Sequence, residues 1–176
     1  MENNPTSIAE RVVNSYNPER ISPFPFDRIQ QSRSDLKIYQ SAIMPDQNIS
    51  GMIVFKQEQN KFEIIINKNK PETRQYFATA HELGHYFLHQ GIIRREEMII
   101  DKDEPMTKET ALYLLDNSEL SEIETEANEF AEVLLMPKDS VLKAWNSLKS
   151  VEECAKIFRV SIVAMSVRLK KLDLII

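Results

Sequence analysis

The sequence contains little cysteine, no long apolar run and few histidines. Its single cysteine, Cys154, excludes an internal disulfide and fits a reducing compartment, and its apolar helical setting predicts a small buried residue rather than a nucleophile. The longest apolar runs, such as 64–66 and 134–136, are far too short to cross a bilayer, and residues 1–5 lack the basic and apolar regions of a signal peptide. We therefore expect a cytoplasmic protein without a membrane span.

Length and composition are those of an ordinary globular protein. The 176 residues suffice for one sizeable core, and the contents of 42% hydrophobic and 28% charged residues do not indicate disorder. The net charge of −5 is unevenly distributed. Residues 101–140 carry 3 basic side chains against 12 acidic ones, whereas residues 141–176 carry 7 against 3. The acidic block is thus the place to look for a metal-binding carboxylate, although such blocks are usually solvated helix faces.

All three histidines of the chain fall within nine residues, at helical spacing, as His81, His85 and His89. The first two belong to a His-Glu-x-x-His motif, which also occurs by chance on solvated helix faces. The neighbouring residues argue against chance here, because most of 78–87 is uncharged, as a buried helix requires. The cluster therefore indicates a metal site.

The spacing of this motif explains its chemistry. Four residues along a helix bring His81 and His85 to one face, where their rings can grip a single metal ion. Glu82 is their neighbour, and its carboxylate reaches the edge of that site. There it can take a proton from a metal-bound water and pass it to a leaving amine. The motif predicts a zinc hydrolase with Glu82 as its catalytic base.

A catalytic zinc site needs a third protein ligand. His89 is excluded as that ligand, since it lies about 12 Å beyond His81 along a helix axis; we expect it to cap the helix or face solvent. A metzincin would carry Gly and His at the positions of Leu88 and Gly91, so that class is excluded too. The ligand should then be a carboxylate of the acidic block.

Five glutamates of one predicted helix are candidates for this ligand: Glu122, Glu124, Glu126, Glu129 and Glu132. Glu124 is the best placed, because it lies near Ala127 and Ala131, small residues that allow close approach of another helix. Glu126 would point away, about 200° round the helix. Asn128 shares the face of Glu124 and could accept a hydrogen bond from a ligating histidine. Spacing alone leaves the other glutamates open.

The sequence pattern predicts an α+β fold with a small three-stranded antiparallel sheet packed on helices. The predicted strands cover 36–43, 51–57 and 62–67. The predicted helices cover 8–16, 26–33, 71–90, 121–136, 138–148 and two short segments within 151–176. We expect a capping box at Ser7 and a helix cap at Ser161. The segment 92–118 shows no clear pattern of secondary structure. The predicted domains are 1–148 and a small helical region, 149–176.

Three blocks of this sequence, 76–89, 124–131 and 134–137, resemble the ImmA/IrrE metallopeptidase family in residues and order. The resemblance implies a zincin-like, gluzincin-type core with Zn²⁺ on His81, His85 and Glu124. It further implies that Glu82 is the catalytic base and that Asn128 supports a ligating histidine. The oxyanion-stabilising residue is not implied, and Tyr76, Tyr86 and Tyr113 are the possibilities.

The resemblance also implies a class of partner. Known members of this family cleave or inactivate helix-turn-helix transcriptional repressors of mobile elements or stress responses, and residues 149–176 resemble a small helix-turn-helix. We expect a protein substrate, lying along an edge strand at 61–67, and no membrane partner. The alternative is a non-proteolytic regulator with a structural metal site, which binds a repressor, or binds DNA through 149–176.

Overall fold

The structure, a computed structural model, describes residues 4–102 and 118–176. Within these ranges the strands are β1 (Leu36–Ser41), β2 (Ile49–Lys56), β3 (Lys61–Asn67) and β4 (Met98–Lys102). The helices are α1 (Pro5–Tyr16), α2 (Phe26–Ser32), α3 (Glu72–Leu88), α4 (Gln90–Glu96), α5 (Ser118–Leu135), α6 (Lys138–Leu148), α7 (Val151–Phe158) and α8 (Ile162–Lys171). The mixed α and β content agrees with the predicted class. Residues 103–117, which belong to the segment 92–118 that the sequence left unassigned, lie outside the described residues.

The starts of α1, α7 and α8 follow capping chemistry, with one correction to the prediction. The Ser161 side chain accepts from the Ala164 amide at 3.1 Å and caps α8, as predicted. The capping box predicted at Ser7 is wrong, because α1 begins earlier, at Pro5. There the Asn4 side chain accepts from the Ser7 amide at 2.8 Å, and proline tolerates the first helical position since its missing N–H has no partner in the helix.

The sheet has four strands among the described residues, in the order β1-β3-β2-β4, and it is mixed. The predicted three-stranded antiparallel sheet is wrong in two respects. β3 runs antiparallel to β2, across the short turn 57–59, but parallel to β1. β4 was missed; it pairs antiparallel with β2, and the paired residues are 44 or more positions apart in the sequence. β3 is therefore a central strand, and the edge strands are β1 and β4, so the predicted substrate edge at 61–67 is wrong as well.

The core lies between this sheet and the helices α1, α3 and α5, with α3 in the middle. α3 packs on β2 and β3 with one side and on α5 with another, which explains why its apolar residues spread over more than one face. The closest approach of the two helices is at Gly84. A Cβ atom there would lie 3.0 Å from both the Cα and the carbonyl oxygen of Ala127. The small residues thus let α5 approach α3, as predicted.

The C-terminal helices are joined to the core by a buried arginine. Nε of Arg168 in α8 donates to the carbonyl of Met136 at 3.0 Å, and its Nη1 lies 3.2 Å from Glu132 Oε1. Lys171 pairs with the other oxygen of Glu132.

The domain boundary predicted after residue 148 stays a prediction. In residues 4–102 and 118–176, no helix combines the length and apolar character that crossing a bilayer requires.

Candidate metal centre

Two imidazole rings of α3, the helix that packs on β2 and β3, lie next to each other. His81 and His85 lie one helical turn apart, and their Nε2 atoms are 3.0 Å from each other. Both side chains are almost wholly buried, with relative exposures of 1% and 0%. Neighbouring nitrogens converge in this way where something between them attracts both lone pairs, such as a proton or a metal ion.

A carboxylate from α5 completes the group. Oε2 of Glu124 lies 3.1 Å from Nε2 of His81, and Oε1 lies 3.3 Å from Nε2 of His85. Glu124 precedes Ala127 by about one turn, so the close contact at Gly84 brings this carboxylate opposite the two rings. The structure therefore brings together the three residues that the sequence predicts as ligands.

The three side chains fit a metal ion. Their ligating atoms all lie within 4.8 Å of one another. In a tetrahedral site with metal–ligand bonds of about 2.0–2.1 Å, ligand atoms are separated by about 3.3 Å, close to the 3.0–3.3 Å found here. Two imidazoles and one carboxylate are also a ligand set of catalytic zinc enzymes, which leaves a fourth position for water or substrate.

Asn128 fixes the ring of His81. Its Oδ1 lies 3.0 Å from Nδ1 of His81 and can only accept, so Nδ1 carries the proton and Nε2 keeps its lone pair for a cation. The contact predicted for Asn128 is thus present.

The ring of His85 is fixed by His89, for which we expected a cap or a solvent-exposed position. His89 is the C-terminal cap of α3, but its side chain is only 5% exposed. Its Nδ1 lies 3.0 Å from Nδ1 of His85, and its Nε2 lies 2.8 Å from Oε2 of Glu126. Glu126 points away from the ligand group, as predicted, and towards His89.

With both rings neutral, this chain of contacts fixes which nitrogen of each ring carries the proton. The Glu126 carboxylate accepts, so Nε2 of His89 carries a proton and its Nδ1 is an acceptor. Nδ1 of His85 must then donate to it, which leaves Nε2 of His85 as the free ligating atom. His89 and Glu126 are the functional candidates that sequence reasoning missed.

Glu82 lies beside this group, fully buried, and neither of its carboxylate oxygens has a hydrogen-bond partner among the described residues. Burial raises the pKa of Glu82 well above its usual range, and the charges of Asp101 and Glu124 raise it further. The carboxylate occupies space that β2 leaves open at Gly51. A Cβ atom at Gly51 would lie 2.9 Å from Oε1 of Glu82 and 3.1 Å from its Cγ.

The ligand group shares protons in the absence of a metal. Burial lowers the pKa of His85 to about 4. Burial also disfavours the charged form of His81, but hydrogen bonding to Glu124 and nearby carboxylates outweigh it and raise the pKa of His81. Burial would raise the pKa of Glu124, yet hydrogen bonds from His81 and His85 lower it to about 2. The group therefore attracts a positive charge, which a metal ion could supply in place of the proton.

Two of the three tyrosines considered as oxyanion stabilisers are directed elsewhere. The hydroxyl of Tyr76 donates to the carbonyl of Phe24 at 3.0 Å. The hydroxyl of Tyr86 contacts the carboxylate of Asp35 at 3.0 and 3.1 Å. Tyr113 lies outside the described residues.

One protein family resembles this chain in sequence, and solved structures resemble it in fold. Residues 44–170 match the model of the M78 peptidase family, described by its IrrE N-terminal-like domain. No curated protein matches the chain. Among solved structures, a Mycobacterium tuberculosis transcriptional regulator has a similar fold, with a TM-score of 0.59 at 15% identity. That match covers 94% of this chain and 46% of the regulator, so the chain spans less than half its length and shares the fold alone.

Proposed function

This chain belongs to the IrrE N-terminal-like family of M78 peptidases, and on that premise we propose that it is a zinc-dependent endopeptidase acting on a protein substrate. One observation carries the proposal. A buried glutamate, Glu82, lies with both oxygens unbonded, among the described residues, beside three converging metal-ligand side chains. A buried charge without a partner is costly, and enzymes retain such groups where a reaction uses them.

His81, His85 and Glu124 would hold the ion. When bound, zinc acts as a Lewis acid on the peptide carbonyl and lowers the pKa of the attacking water. The remaining work falls to side chains of this protein. Asn128 and His89 hold the two imidazole rings with Nε2 directed at the site.

Glu82 moves the proton in this proposal. Burial raises the pKa of Glu82, but a cation held by the neighbouring ligand group would favour its ionised form. The unbonded carboxylate then accepts a proton from the water as that water attacks, and it donates the proton to the departing amine nitrogen. The sheet side of the site keeps this carboxylate in position, since Gly51 gives it room and β2 otherwise closes around it. Of the three ligand side chains, His81 and His85 are buried and Glu124 is 32% exposed, so in this proposal the substrate enters from the face at Glu124.

The backbone of the substrate would lie along β4. Among the described residues, this strand pairs with β2 on one side only, so its other edge can take an extended peptide. Asp101 of β4 is close enough to the site for its charge to raise the pKa values of both His81 and Glu82. The strand therefore passes next to the reacting groups.

We infer that the natural substrate is a helix-turn-helix transcriptional repressor, in a mobile-element or stress response, and that the enzyme acts in the cytoplasm. This inference rests on the resemblance of the motif blocks 76–89, 124–131 and 134–137 to the ImmA/IrrE family. It is the finer part of the proposal, and the peptidase chemistry above does not depend on it.

The competing function is a regulator that binds DNA through 149–176. The exposed side of α8 weighs against it, because Ile162, Val163 and Val167 are 52%, 73% and 45% exposed. Arg168 and Lys171 are both paired with Glu132. A helix that reads DNA presents basic and polar side chains to the groove instead.

Replacing Glu82 by glutamine tests the proposal. The amide keeps the shape of the side chain but cannot accept the proton, so we expect zinc to stay bound and hydrolysis to fall by about 10²–10⁴-fold. Cleavage is measured by mass spectrometry on a peptide library, with Glu58→Gln on the exposed turn 57–59 as the matched control. Full cleavage by Glu82→Gln would exclude Glu82 as the base.

A further inference from the structure

A second cleft lies beside the metal centre, between the first turns of α3 and the junction of α7 and α8. Its volume is about 310 Å³, room for a single large side chain or two small ones. One wall is formed by α3 and the other by the start of α8. The lining residues are Thr73, Arg74, Phe77, Val160, Ser161, Val163 and Ala164.

The cleft is apolar in spite of its one charged residue. The guanidinium of Arg74 is held by Oδ2 of Asp101 at 2.7 Å and by the hydroxyl of Ser50 at 3.0 Å. It also lies over the ring of Phe77, 5.5 Å from its centroid. With this charge compensated, the described lining of the cleft offers no group suited to a phosphate or to a charged side chain.

Val163 is an exposed apolar residue at the edge of the cleft. It is 73% exposed at the start of a helix whose other side is firmly packed on the core. Exposed valines occur singly on many surfaces, but this one borders a cleft that other apolar residues line. Burying it against a ligand would remove apolar surface from water.

The cleft and the ligand group are neighbours along α3. Phe77 precedes His81 by one turn of α3, and the centroids of the two rings are 6.3 Å apart. One turn advances about 5.4 Å, whereas an extended peptide advances about 3.3 Å per residue. A peptide whose scissile bond lies at the ligand group therefore reaches the cleft with the second or third residue from that bond.

We propose that this cleft binds one apolar side chain of the substrate, two or three residues from the scissile bond, and so gives the peptidase its sequence preference. The proposal rests on the proposed function for the identity of its ligand. It assigns a recognition role to the C-terminal helical region: the turn into α8 forms a wall of the substrate groove.

Methyl NMR of the zinc-loaded full chain carrying Glu82→Gln tests binding without cleavage. The probes are trileucine and triserine. We expect trileucine to shift the methyl signals of Val160 and Val163 and to leave those of Val12 and Val13, in α1, unchanged; triserine should shift none of them. Equal effects of the two peptides, or no effect at Val160 and Val163, would overturn the proposal.

A pair of variants makes the test specific. Val163→Glu should weaken trileucine binding by about tenfold, the effect of losing one apolar contact. Val167→Glu adds the same charge one turn later, outside the cleft lining, and should leave binding unchanged. Equal loss in both variants would overturn the proposal. So would methyl shifts of Val160 and Val163 that depend on protein concentration without any probe, because a second copy of the chain would then cover the cleft.

Cleavage of a peptide library by the wild type separates this proposal from the proposed function. We expect enrichment of leucine, isoleucine or phenylalanine two or three residues from the cleaved bond, and its loss in Val163→Glu. Cleavage without that enrichment would overturn the proposed role of the cleft and leave the peptidase proposal unaffected. If no peptide is cleaved although trileucine binds as expected, the cleft stands as a peptide-binding site and the peptidase proposal fails.

Discussion

The Nδ1 atoms of His85 and His89 lie 3.0 Å apart, and the second ring is itself anchored by Glu126 at 2.8 Å. His89 therefore does for His85 what Asn128 does for His81: it holds the ring so that Nε2 can bind a cation. The three histidines of the chain thus lie at one site, although only His81 and His85 are placed to bind a metal ion.

Replacing His89 by alanine should weaken zinc binding by about 10–100-fold, because the ring of His85 loses its acceptor. Asparagine at the same position can still offer an oxygen near the place of Nδ1 and should restore most of the affinity. The measurement is the zinc dissociation constant, by competition with a chromophoric chelator. Wild-type affinity in His89→Ala would refute this role, as would equal losses in both variants.

Gly51 should matter for rate and little for stability. The Cβ atom of Gly51→Ala would meet the end of the Glu82 side chain at 2.9 Å, which can move without a shift of the backbone. A displaced carboxylate no longer meets the attacking water, so we expect the cleavage rate to fall about tenfold or more at unchanged zinc content. Rates on a peptide library and elemental analysis check this. An unchanged rate would mean that Glu82 has more freedom than the structure indicates.

Gly84 and Gly91 form a matched pair for stability. In Gly84→Ala the added Cβ atom would lie 3.0 Å from backbone atoms of Ala127. Relieving this overlap requires the two packed helices to move apart, which costs packing energy. We expect a loss of about 1–3 kcal/mol in the free energy of unfolding, measured with denaturant on the zinc-free protein. Weaker zinc binding should accompany it, since Glu124 moves away with α5.

Gly91→Ala is the control, because nothing lies within 4 Å of its added Cβ atom and its position is inside α4. There the helix preference of alanine should stabilise the protein by about 0.5–1 kcal/mol. If the two substitutions changed the free energy of unfolding equally, the close contact between α3 and α5 would not be what makes Gly84→Ala destabilising.

The parts of the site that depend on local geometry could be predicted from the sequence. The spacing of His81 and His85 fixes their common face, and small residues beside Glu124 indicated which glutamate could reach it. His89 caps α3, as predicted, but its contact with His85 was missed for a geometric reason. Its backbone is indeed too far along the axis to share the metal, but its side chain turns back by one turn to reach His85.

The sheet could be predicted only in part, because strand pairing is not local. The hairpin of β2 and β3 follows from the short turn between them, whereas the parallel pairing of β1 with β3 has no signal in either segment. β4 is a five-residue strand whose partner, β2, comes more than 40 residues earlier. These pairings decide which strand is the edge, and the predicted edge at 61–67 failed for that reason.

The zinc content of the purified protein tests the central claim most directly. Elemental mass spectrometry should find about one zinc per chain in the wild type and loss of it in His81→Ala and in Glu124→Ala. Glu122→Ala, on the same helix, should retain the metal. A wild type that binds no zinc, even when zinc is added back, would contradict the account, and so would full retention of zinc by Glu124→Ala.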